Sequence, residues 1–272
     1  MHIAVIVTTY NRPDALAAVL EGYLAQTGAA FELLVADDGS TDETRRVIAG
    51  FAARAPFPLR QVWQEDRGFR AAAARNRALA ATQADYIVFT DGDCIPPADF
   101  VARHCALAAP GCFLSGNRVL LSEAFTREVL ARQLPLHAWG MTRWLGARLK
   151  GNINRWLPLL RLPDAAWRNG SPERWAGVKT CNLSAWRADL VRVNGLDETY
   201  SGWGLEDSDL VIRLLHAGVK HKSARFAAPV FHLWHRENDR SQLAENQRQL
   251  DALLASHRIE AQLGLDQYSG AS

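Results

Sequence analysis

The chain has 272 residues, 48% of them hydrophobic, and a formal net charge of +2. This size suits one large α/β domain or two small ones, and the near-balanced charge argues against a nucleic-acid partner. The four cysteines show no metal-finger spacing, and the N-terminus does not resemble a signal peptide. We therefore expect reduced thiols in a cytoplasmic protein. No apolar run reaches the roughly 18 residues that a membrane-spanning helix needs.

The first third of the chain alternates apolar runs, which predict strands, with Ala- and Leu-rich segments, which predict helices. Pro13 suits the first position of the first helix, and Ser40 with Glu43 predicts a capping box at the second. This alternation predicts a mostly parallel sheet with right-handed crossovers. The predicted strands are residues 3–7, 32–36, 59–64 and 86–90, and the predicted helices are 14–26, 40–53 and 69–81.

Polar side chains follow three of the predicted strands where each strand ends. In open parallel sheets, ligands bind outside the carboxyl ends of the strands, so these residues should meet at one rim. The chain has no GxGxxG and no GxxxxGK[ST] motif, which argues against a usual dinucleotide fold and a P-loop. The rim residues are Thr8, Tyr10 and Arg12, then Asp37 and Asp38, then Asp91 and Asp93.

Asp91 and Asp93 are separated by one glycine at the end of a buried strand. On extended backbone they would face the same side, and Gly92 would allow a close approach to the backbone. Two adjacent carboxylates call for a cation, a shared proton or an arginine partner. Oxygen ligands favour Mg²⁺ or Mn²⁺. The alternative is a solvated Asp-Gly turn.

Residues 122–174 allow three interpretations. Between Arg127 and Arg174 there are nine Arg or Lys residues and three acidic ones, interleaved with four tryptophans. Basic residues with tryptophans can mark a peripheral membrane contact. The same composition fits a mobile acceptor lid whose indoles stack on sugar rings. It also fits an insertion that packs on the core with its charges in water.

Two further clusters lie in the last third. Gly202-Trp203-Gly204 should expose a flat indole face beside Glu206 and Asp207, an arrangement that suits a pyranose ring. A helix N-terminus alone explains an acid such as Asp209. His232 and His235 follow an apolar run at 227–230, and a pair of histidines points to a ligand role more than a single one does. Residues after 241 predict a terminal helix and tail.

Four motifs in the first 110 residues resemble the family 2 glycosyltransferases of GT-A fold. They are Thr8–Pro13, Val35–Asp42, Ala74–Asn76 and Thr90–Asp93. The resemblance implies a nucleotide-sugar donor, with UDP favoured, and a divalent metal ion, Mn²⁺ or Mg²⁺. It further implies nucleotide contacts from Thr8, Tyr10, Arg12, Asp38, Arg70 and Asp91, and a metal contact from Asp93. Arg75 and Arg77 are weaker candidates, because an arginine on a helix is usually solvated.

The Gly-Trp-Gly-x-Glu-Asp string resembles the acceptor motif of β-1,4-galactosyltransferases and of bacterial chondroitin-type polymerases. The resemblance implies acceptor binding by Trp203, Gly204 and Glu206, and general-base duty for Asp207. Residues 177–184 would be the sheet strand before this motif. A histidine after the last core strand would complete the metal shell, with His232 slightly preferred over His235.

Together these observations predict an α/β chain of GT-A, Rossmann-like fold with a mostly parallel central sheet flanked by helices. Residues 1–240 would form one domain, with a nucleotide-sugar half (1–110), an acceptor half (111–240) that contains the insertion at 122–174, and a helix and tail at 241–272. The predicted activity is metal-dependent, inverting transfer of a hexose or hexosamine to a saccharide or lipid-linked saccharide. Synthesis of a surface polysaccharide or lipopolysaccharide, at the inner face of the membrane, would use such an enzyme. The alternatives are a sugar-1-phosphate nucleotidyltransferase and a non-catalytic carbohydrate-binding module.

Overall fold

A computed structural model describes residues 1–236 and 239–268. Glu237, Asn238 and the last four residues of the predicted tail lie outside the described residues. The strands are β1 (Ile3–Thr9), β2 (Glu32–Asp37), β3 (Leu59–Trp63), β4 (Tyr86–Asp91), β5 (Cys94–Ile95), β6 (Cys112–Ser115), β7 (Arg118–Leu120), β8 (Asn182–Trp186), β9 (Lys220–Ser223) and β10 (Val230–His232).

The described residues form a seven-stranded sheet in the order β3-β2-β1-β4-β8-β6-β9. Strand β8 runs antiparallel to both of its neighbours, whereas the other paired strands of this sheet are parallel. The predicted mostly parallel sheet is therefore confirmed. A second sheet in the order β5-β10-β7 brings residues 230–232 beside residues 94–95 and 118–120. Its register places His232 opposite Cys94.

The helices cover both faces of the large sheet. Because both faces are buried, the central strands are apolar at successive positions: Val5 and Val7 enter one core, and Ala4 and Ile6 enter the other. No helix in the described part of the chain is long and apolar enough to cross a membrane. The helices are α1 (Pro13–Leu24), α2 (Asp42–Ala52), α3 (Ala71–Ala80), α4 (Phe100–Leu107), α5 (Glu123–Arg132), α6 (Met141–Leu149), α7 (Arg187–Arg192), α8 (Glu206–His216) and α9 (Leu243–Leu254).

The capping box predicted at Ser40 and Glu43 is wrong. Helix α2 has Thr41 as its N-cap residue, without a side-chain capping bond. The Ser40 hydroxyl instead accepts a hydrogen bond from the Asn11 backbone N–H at 2.9 Å, and Asn11 Oδ1 accepts one from the Thr41 N–H. These bonds tie the loop after β1 to the loop after β2, so the serine oxygen is used at the rim.

The strand predicted at 177–184 forms only at its end, since β8 begins at Asn182. Residues before it run as turns along the carboxyl edge of the sheet. There the Thr180 hydroxyl donates a hydrogen bond to Asp207. This part of the prediction fails because the segment forms a rim contact and does not pair with a neighbouring strand.

The tryptophans of the 122–174 segment pack mostly inward. Trp144 is buried and stacks on Phe231, with ring centroids 4.2 Å apart, and Trp139 packs against Trp144. Trp156 also packs on this core, whereas Trp167 is 42% exposed. These contacts favour an insertion packed on the core, because three of the four indoles pack against it.

Candidate active site

Asp91 and Asp93 lie at the carboxyl end of β4, but they face different partners. Asp91 Oδ1 is 2.9 Å from Arg75 Nη2, whereas Asp93 lies beside two histidines. The Gly92 N–H donates to the Thr8 carbonyl oxygen at 2.7 Å, and a Cβ at Gly92 would lie 3.1 Å from that oxygen. The close approach predicted at Gly92 is thus made by the end of β1.

Arg75 lies at the centre of three carboxylates. It is 4% exposed, and besides Asp91 it faces Glu206 Oε1 at 3.6 Å and Asp207 Oδ1 at 4.0 Å from its Nη1. Helix α3 therefore joins the end of β4 to the start of α8. We call Arg75, Asp91, Glu206 and Asp207 the acidic cluster.

The acidic cluster shifts the pKa values of its members. Burial raises the pKa of Glu206 to about 7, with the charge of Asp207 adding to the rise and Arg75 opposing it. Burial likewise raises the pKa of Asp91 to about 6, against the attraction of Arg75. Burial acts to lower the pKa of Arg75, but the three carboxylates outweigh it and raise that pKa. Such perturbed groups in one cleft are typical of functional sites.

The three acids in the first turn of α8 have different roles. Asp209 is fully buried, and its Oδ1 is 2.5 Å from Arg213 Nε, so it is a structural residue, as the sequence suggested. Asp207 accepts a hydrogen bond from Thr180 Oγ1, and its side chain is 13% exposed. Asp207 is therefore held in place while remaining accessible from the rim.

The loop before α8 depends on backbone conformations that favour glycine. Gly202 and Gly204 have φ values of 68° and 110°. Asn246 of α9 donates to the Gly204 carbonyl oxygen at 3.0 Å, which fixes the loop from outside. Trp203 is half-buried, and the Arg240 guanidinium lies 5.2 Å from its ring centroid. One indole face predicted to be open therefore carries a cation.

The predicted nucleotide residues line the rim at β1, β2 and α3. Asp38 accepts bonds from Gln64 Nε2 at 2.6 Å and from the Arg70 backbone N–H at 2.7 Å. Arg70 is the N-cap residue of α3, and its guanidinium donates to the Glu65 carbonyl oxygen. Asp38 thus anchors the chain that leads into α3.

Other residues of this rim have partners of their own. The Tyr10 hydroxyl donates to Asp66 Oδ2 at 2.9 Å, and Arg12 pairs with Asp14 at 3.1 Å. Thr8 Oγ1 is buried without a hydrogen-bond partner among the described residues. The side chains of Tyr10 and Arg12 are thus held by neighbouring acids.

Asp93 and two histidines form a candidate metal centre. His235 Nε2 is 3.5 Å from Asp93 Oδ2, and His232 Nε2 is 3.8 Å from Asp93 Oδ1. His235 Nδ1 lies 2.7 Å from the Arg236 carbonyl oxygen, which orients the ring and leaves Nε2 toward Asp93. The Cys94 thiol lies close enough to Asp93 and His232 to share an ion with them, and burial raises its pKa. A carboxylate with two imidazoles suits a divalent transition metal such as Mn²⁺ better than Mg²⁺.

Sequence reasoning missed the position of Arg75. Eight of the ten residues of α3 are buried, so a helix this rich in alanine leaves few positions for a solvated arginine. The alanine-rich pattern of this helix was thus the signal in the sequence that Arg75 is buried. The neighbouring Asn76 is also buried, and its amide group bonds to the backbone of Leu196, which attaches α3 to the second half of the chain.

Comparison with known proteins agrees with this architecture. The model of glycosyl transferase family 2 matches residues 4–154, and a model described as the N-terminal domain of galactosyltransferase matches residues 164–236. Validoxylamine A glucosyltransferase of Streptomyces hygroscopicus subsp. jinggangensis is 31% identical over 225 residues, which are 80% of this chain and 52% of that relative. Hyaluronan synthase of Pasteurella multocida is 27% identical over 239 residues, 81% of this chain and 23% of that protein. The chain thus spans about half of the first relative and less of the second.

Solved structures share the fold. TarS of S. aureus (residues 1–349) superposes with a TM-score of 0.62 at 15% identity, covering 98% of this chain and 68% of that one. The mannosyltransferase PcManGT of Pyrobaculum calidifontis, solved with GDP-Man and Mn²⁺, gives 0.59 at 20% identity, covering 94% and 62%. The predicted GT-A fold is confirmed. On the family match over more than half of its length, the chain belongs to glycosyltransferase family 2 and is a glycosyltransferase.

Proposed function

We propose that this enzyme transfers a hexose or hexosamine from a UDP-sugar to a saccharide acceptor, with inversion and with a divalent metal ion. The observation that carries the proposal is the acidic cluster beside the Asp93 centre, between the β1–β2 rim and the Trp203 loop. A donor at that rim and an acceptor at Trp203 would meet next to Asp207.

The donor would lie along the carboxyl ends of β1, β2 and β4. Thr8, Tyr10, Arg12, Asp38 and Arg70 are the proposed nucleotide contacts, with Asp91 toward the ribose. Support for UDP comes from TarS, which was solved with UDP and with UDP-GlcNAc. PcManGT was solved with GDP-Man, so GDP is the competing nucleotide to test.

Asp93, His232 and His235 are the proposed metal ligands. Their donor set fits Mn²⁺, the ion present in the PcManGT structure. When bound there, the ion would act as a Lewis acid that neutralises charge on the leaving diphosphate. Both imidazoles lie within 4 Å of an Asp93 oxygen, so we propose that both contribute.

Asp207 is the proposed general base. Thr180 orients its carboxylate, and Arg75 lies at 4.0 Å, so the group is held where it can accept the proton of an acceptor hydroxyl. Glu206 and Trp203, with the Gly204 backbone, would position that acceptor. Direct displacement by the acceptor oxygen, assisted by this one base, would invert the anomeric carbon because the attack comes from the side opposite the leaving diphosphate. Asp91 supplies no second carboxylate to this step in the proposal, because it pairs with Arg75.

The test is Asp207→Asn in a coupled assay of UDP release from UDP-sugars with saccharide acceptors. We expect kcat to fall by about 10² to 10⁴, the usual contribution of a positioned base. Stabilisation of the fold by UDP should persist, because Asp207 lies outside the nucleotide rim. Asp42→Asn, an exposed carboxylate on α2, is the matched control and should keep the wild-type rate. Full activity of Asp207→Asn would remove Asp207 from the base role.

A membrane surface is the proposed place where the acceptor is presented. Helix α6 exposes Leu145 and Leu149 together with Arg143 and Arg148, a combination suited to an anionic bilayer. We propose a cytoplasmic enzyme at the inner face of the membrane, acting in polysaccharide or lipopolysaccharide synthesis. Sedimentation with anionic vesicles should decrease in a Leu145→Ser, Leu149→Ser variant. Unchanged sedimentation would contradict a membrane contact through α6.

A further inference from the structure

A cavity of about 180 Å³ opens at the carboxyl edge of the large sheet, formed by segments after β6, before β8 and after β9. No acidic side chain of the described residues lines it, although the acidic cluster is its neighbour. Its charged lining consists of five cations, Arg118, Arg155, Arg174, Lys179 and Arg225. We call these residues the basic pocket.

The cations of the basic pocket form no ion pair with a carboxylate in residues 1–236 and 239–268. Two of them are anchored to carbonyl groups: Arg155 Nη2 donates to the Arg118 carbonyl oxygen at 3.1 Å, and Arg174 Nε donates to the Ala176 carbonyl oxygen at 3.3 Å. These two guanidinium groups are therefore positioned by carbonyl oxygens. Burial acts to lower the pKa of Arg118, but the attraction of nearby groups, Asp91 and Asp207 among them, raises it. Neither of these carboxylates forms an ion pair with Arg118. Like charges gathered in a cavity repel, so an anion entering it would be attracted strongly.

Two lysines just outside the basic pocket differ from its cations, because each is paired with a carboxylate. On β9, Lys220 Nζ lies 2.5 Å from Glu173, and Lys222 Nζ lies 2.9 Å from Asp164. His221 lies between them and lines the cavity, and both of its ring nitrogens are bonded, to Ser115 and to the Ser171 backbone. Burial also lowers the pKa of His221. Both lysines are thus paired with a carboxylate, whereas within the described part of the chain the five cations of the basic pocket are not.

The basic pocket lies on the acceptor side of the acidic cluster. The proposed nucleotide residues follow β1 and β2, whereas the pocket is lined by the segments before β8 and after β6 and β9, on the other side of β4 in the strand order. Lys179 directly precedes Thr180, whose hydroxyl donates to Asp207. The pocket and Asp207 are therefore neighbours. An acceptor with one substituent in the pocket could place a hydroxyl group at Asp207.

We infer that the basic pocket binds an anionic substituent, a carboxylate or a phosphate, on the acceptor saccharide. The inference rests on the proposed function and adds the chemical class of the acceptor. Ligand pockets usually measure about 300–1,000 Å³, so this smaller cavity holds one charged group while the sugar rings remain at Trp203. Selectivity for charged acceptors then follows from the five cations.

The test compares three probes, methyl glucuronide, glucose 6-phosphate and neutral methyl glucoside, by calorimetric titration of the whole chain with Mn²⁺, in the presence and in the absence of UDP. We expect the charged probe that fits to bind at least about tenfold more tightly than methyl glucoside, as charge-assisted hydrogen bonds imply. The tighter of the two charged probes identifies carboxylate or phosphate as the natural group. Arg174→Gln with Arg225→Gln, both exposed at the pocket rim, should reduce that affinity about tenfold or more.

The matched control is Arg45→Gln with Arg127→Gln, two exposed arginines far from the pocket, which should leave all three affinities unchanged. Equal binding of charged and neutral probes would overturn the inference. So would displacement of the charged probes by UDP, because the pocket would then serve the donor diphosphate. Failure of UDP to stabilise the wild-type chain contradicts the proposed function instead, so the two failures are distinguishable.

Discussion

The two halves of this enzyme build their parts of the rim in different ways. In the first half, buried parallel strands end directly in the residues of the rim, so each rim residue belongs to the strand before it. In the second half, the rim is assembled from distant contacts, such as those from Asn76 to Leu196, 120 residues away. Arg75 joins the halves, because it lies on a helix of the first and faces two carboxylates of the second, Glu206 and Asp207. The arrangement of the acidic cluster therefore depends on one buried cation.

The largest effect on stability is expected from replacing Arg75, which joins the two halves. Arg75→Leu leaves three carboxylates without their common cation, so we expect the free energy of unfolding to fall by about 3–5 kcal/mol, as when one partner of a buried ion pair is removed. Urea denaturation at pH 7.5 measures it. Arg77→Leu, an exposed arginine on the same helix, is the matched control and should cost much less. Equal losses in the two variants would show that Arg75 does not join the halves electrostatically.

A second effect is the pH dependence of the free energy of unfolding, to which Glu206 contributes. Burial raises the pKa of Glu206 to about 7, above its usual 4.5, so in this window the folded protein holds a proton that the unfolded chain has lost. Stability should consequently rise as the pH falls from 7 toward 4.5, and Asp91 adds a change of the same sign below about pH 6. Glu206→Gln should weaken this dependence and should stabilise the fold at pH 8.

Urea midpoints at intervals between pH 4.5 and pH 8, with a chelator present, measure this dependence. Glu43→Gln, at an exposed position of α2, is the control and should keep the wild-type profile. An unaltered profile in Glu206→Gln would mean that Glu206 does not take up the proton.

A smaller effect is expected at Thr180. Thr180→Val keeps the shape of the side chain but removes the hydroxyl that donates to Asp207. Because a hydrogen bond to a charged group contributes about 1.5–3 kcal/mol, we expect kcat to fall about tenfold or somewhat more. Thr199→Val, whose hydroxyl bonds to the structural Asp197, is the comparison and should affect stability more than turnover. An undiminished kcat in Thr180→Val would show that Asp207 needs no orienting partner.

The sequence predicted the first half well because local rules determine it. Apolar runs of strand length, Pro13 at a helix start and polar residues at strand ends each depend on neighbours in the chain, and β1 to β4 formed as expected. The cap at Ser40 was wrong because the serine oxygen bonds to a different loop, a contact that spacing along one helix cannot reveal.

The second half was less predictable for a related reason. Asp207 and Glu206 could be singled out, but their partner Arg75 lies on another element, and an arginine on a helix is solvated in most contexts. The indole of Trp203 was expected to be open, yet Arg240 covers one face. The basic pocket draws its cations from several separate segments, so neither periodicity nor motif spacing brings them together before the chain folds.

The measurement that tests the central claim most directly is thermal stability against UDP, GDP, CDP and dTDP, each with Mn²⁺, with Mg²⁺ and with neither. At 100 times its Kd, a ligand that binds only the folded state adds about 2.7 kcal/mol. We predict that UDP with Mn²⁺ gives this shift, that Asp93→Asn removes its metal-dependent part, and that His232→Ala and His235→Ala each reduce it. A metal-dependent shift with GDP alone would correct the donor. No shift with any nucleotide in the presence of metal would contradict a metal-dependent nucleotide-sugar site at Asp93.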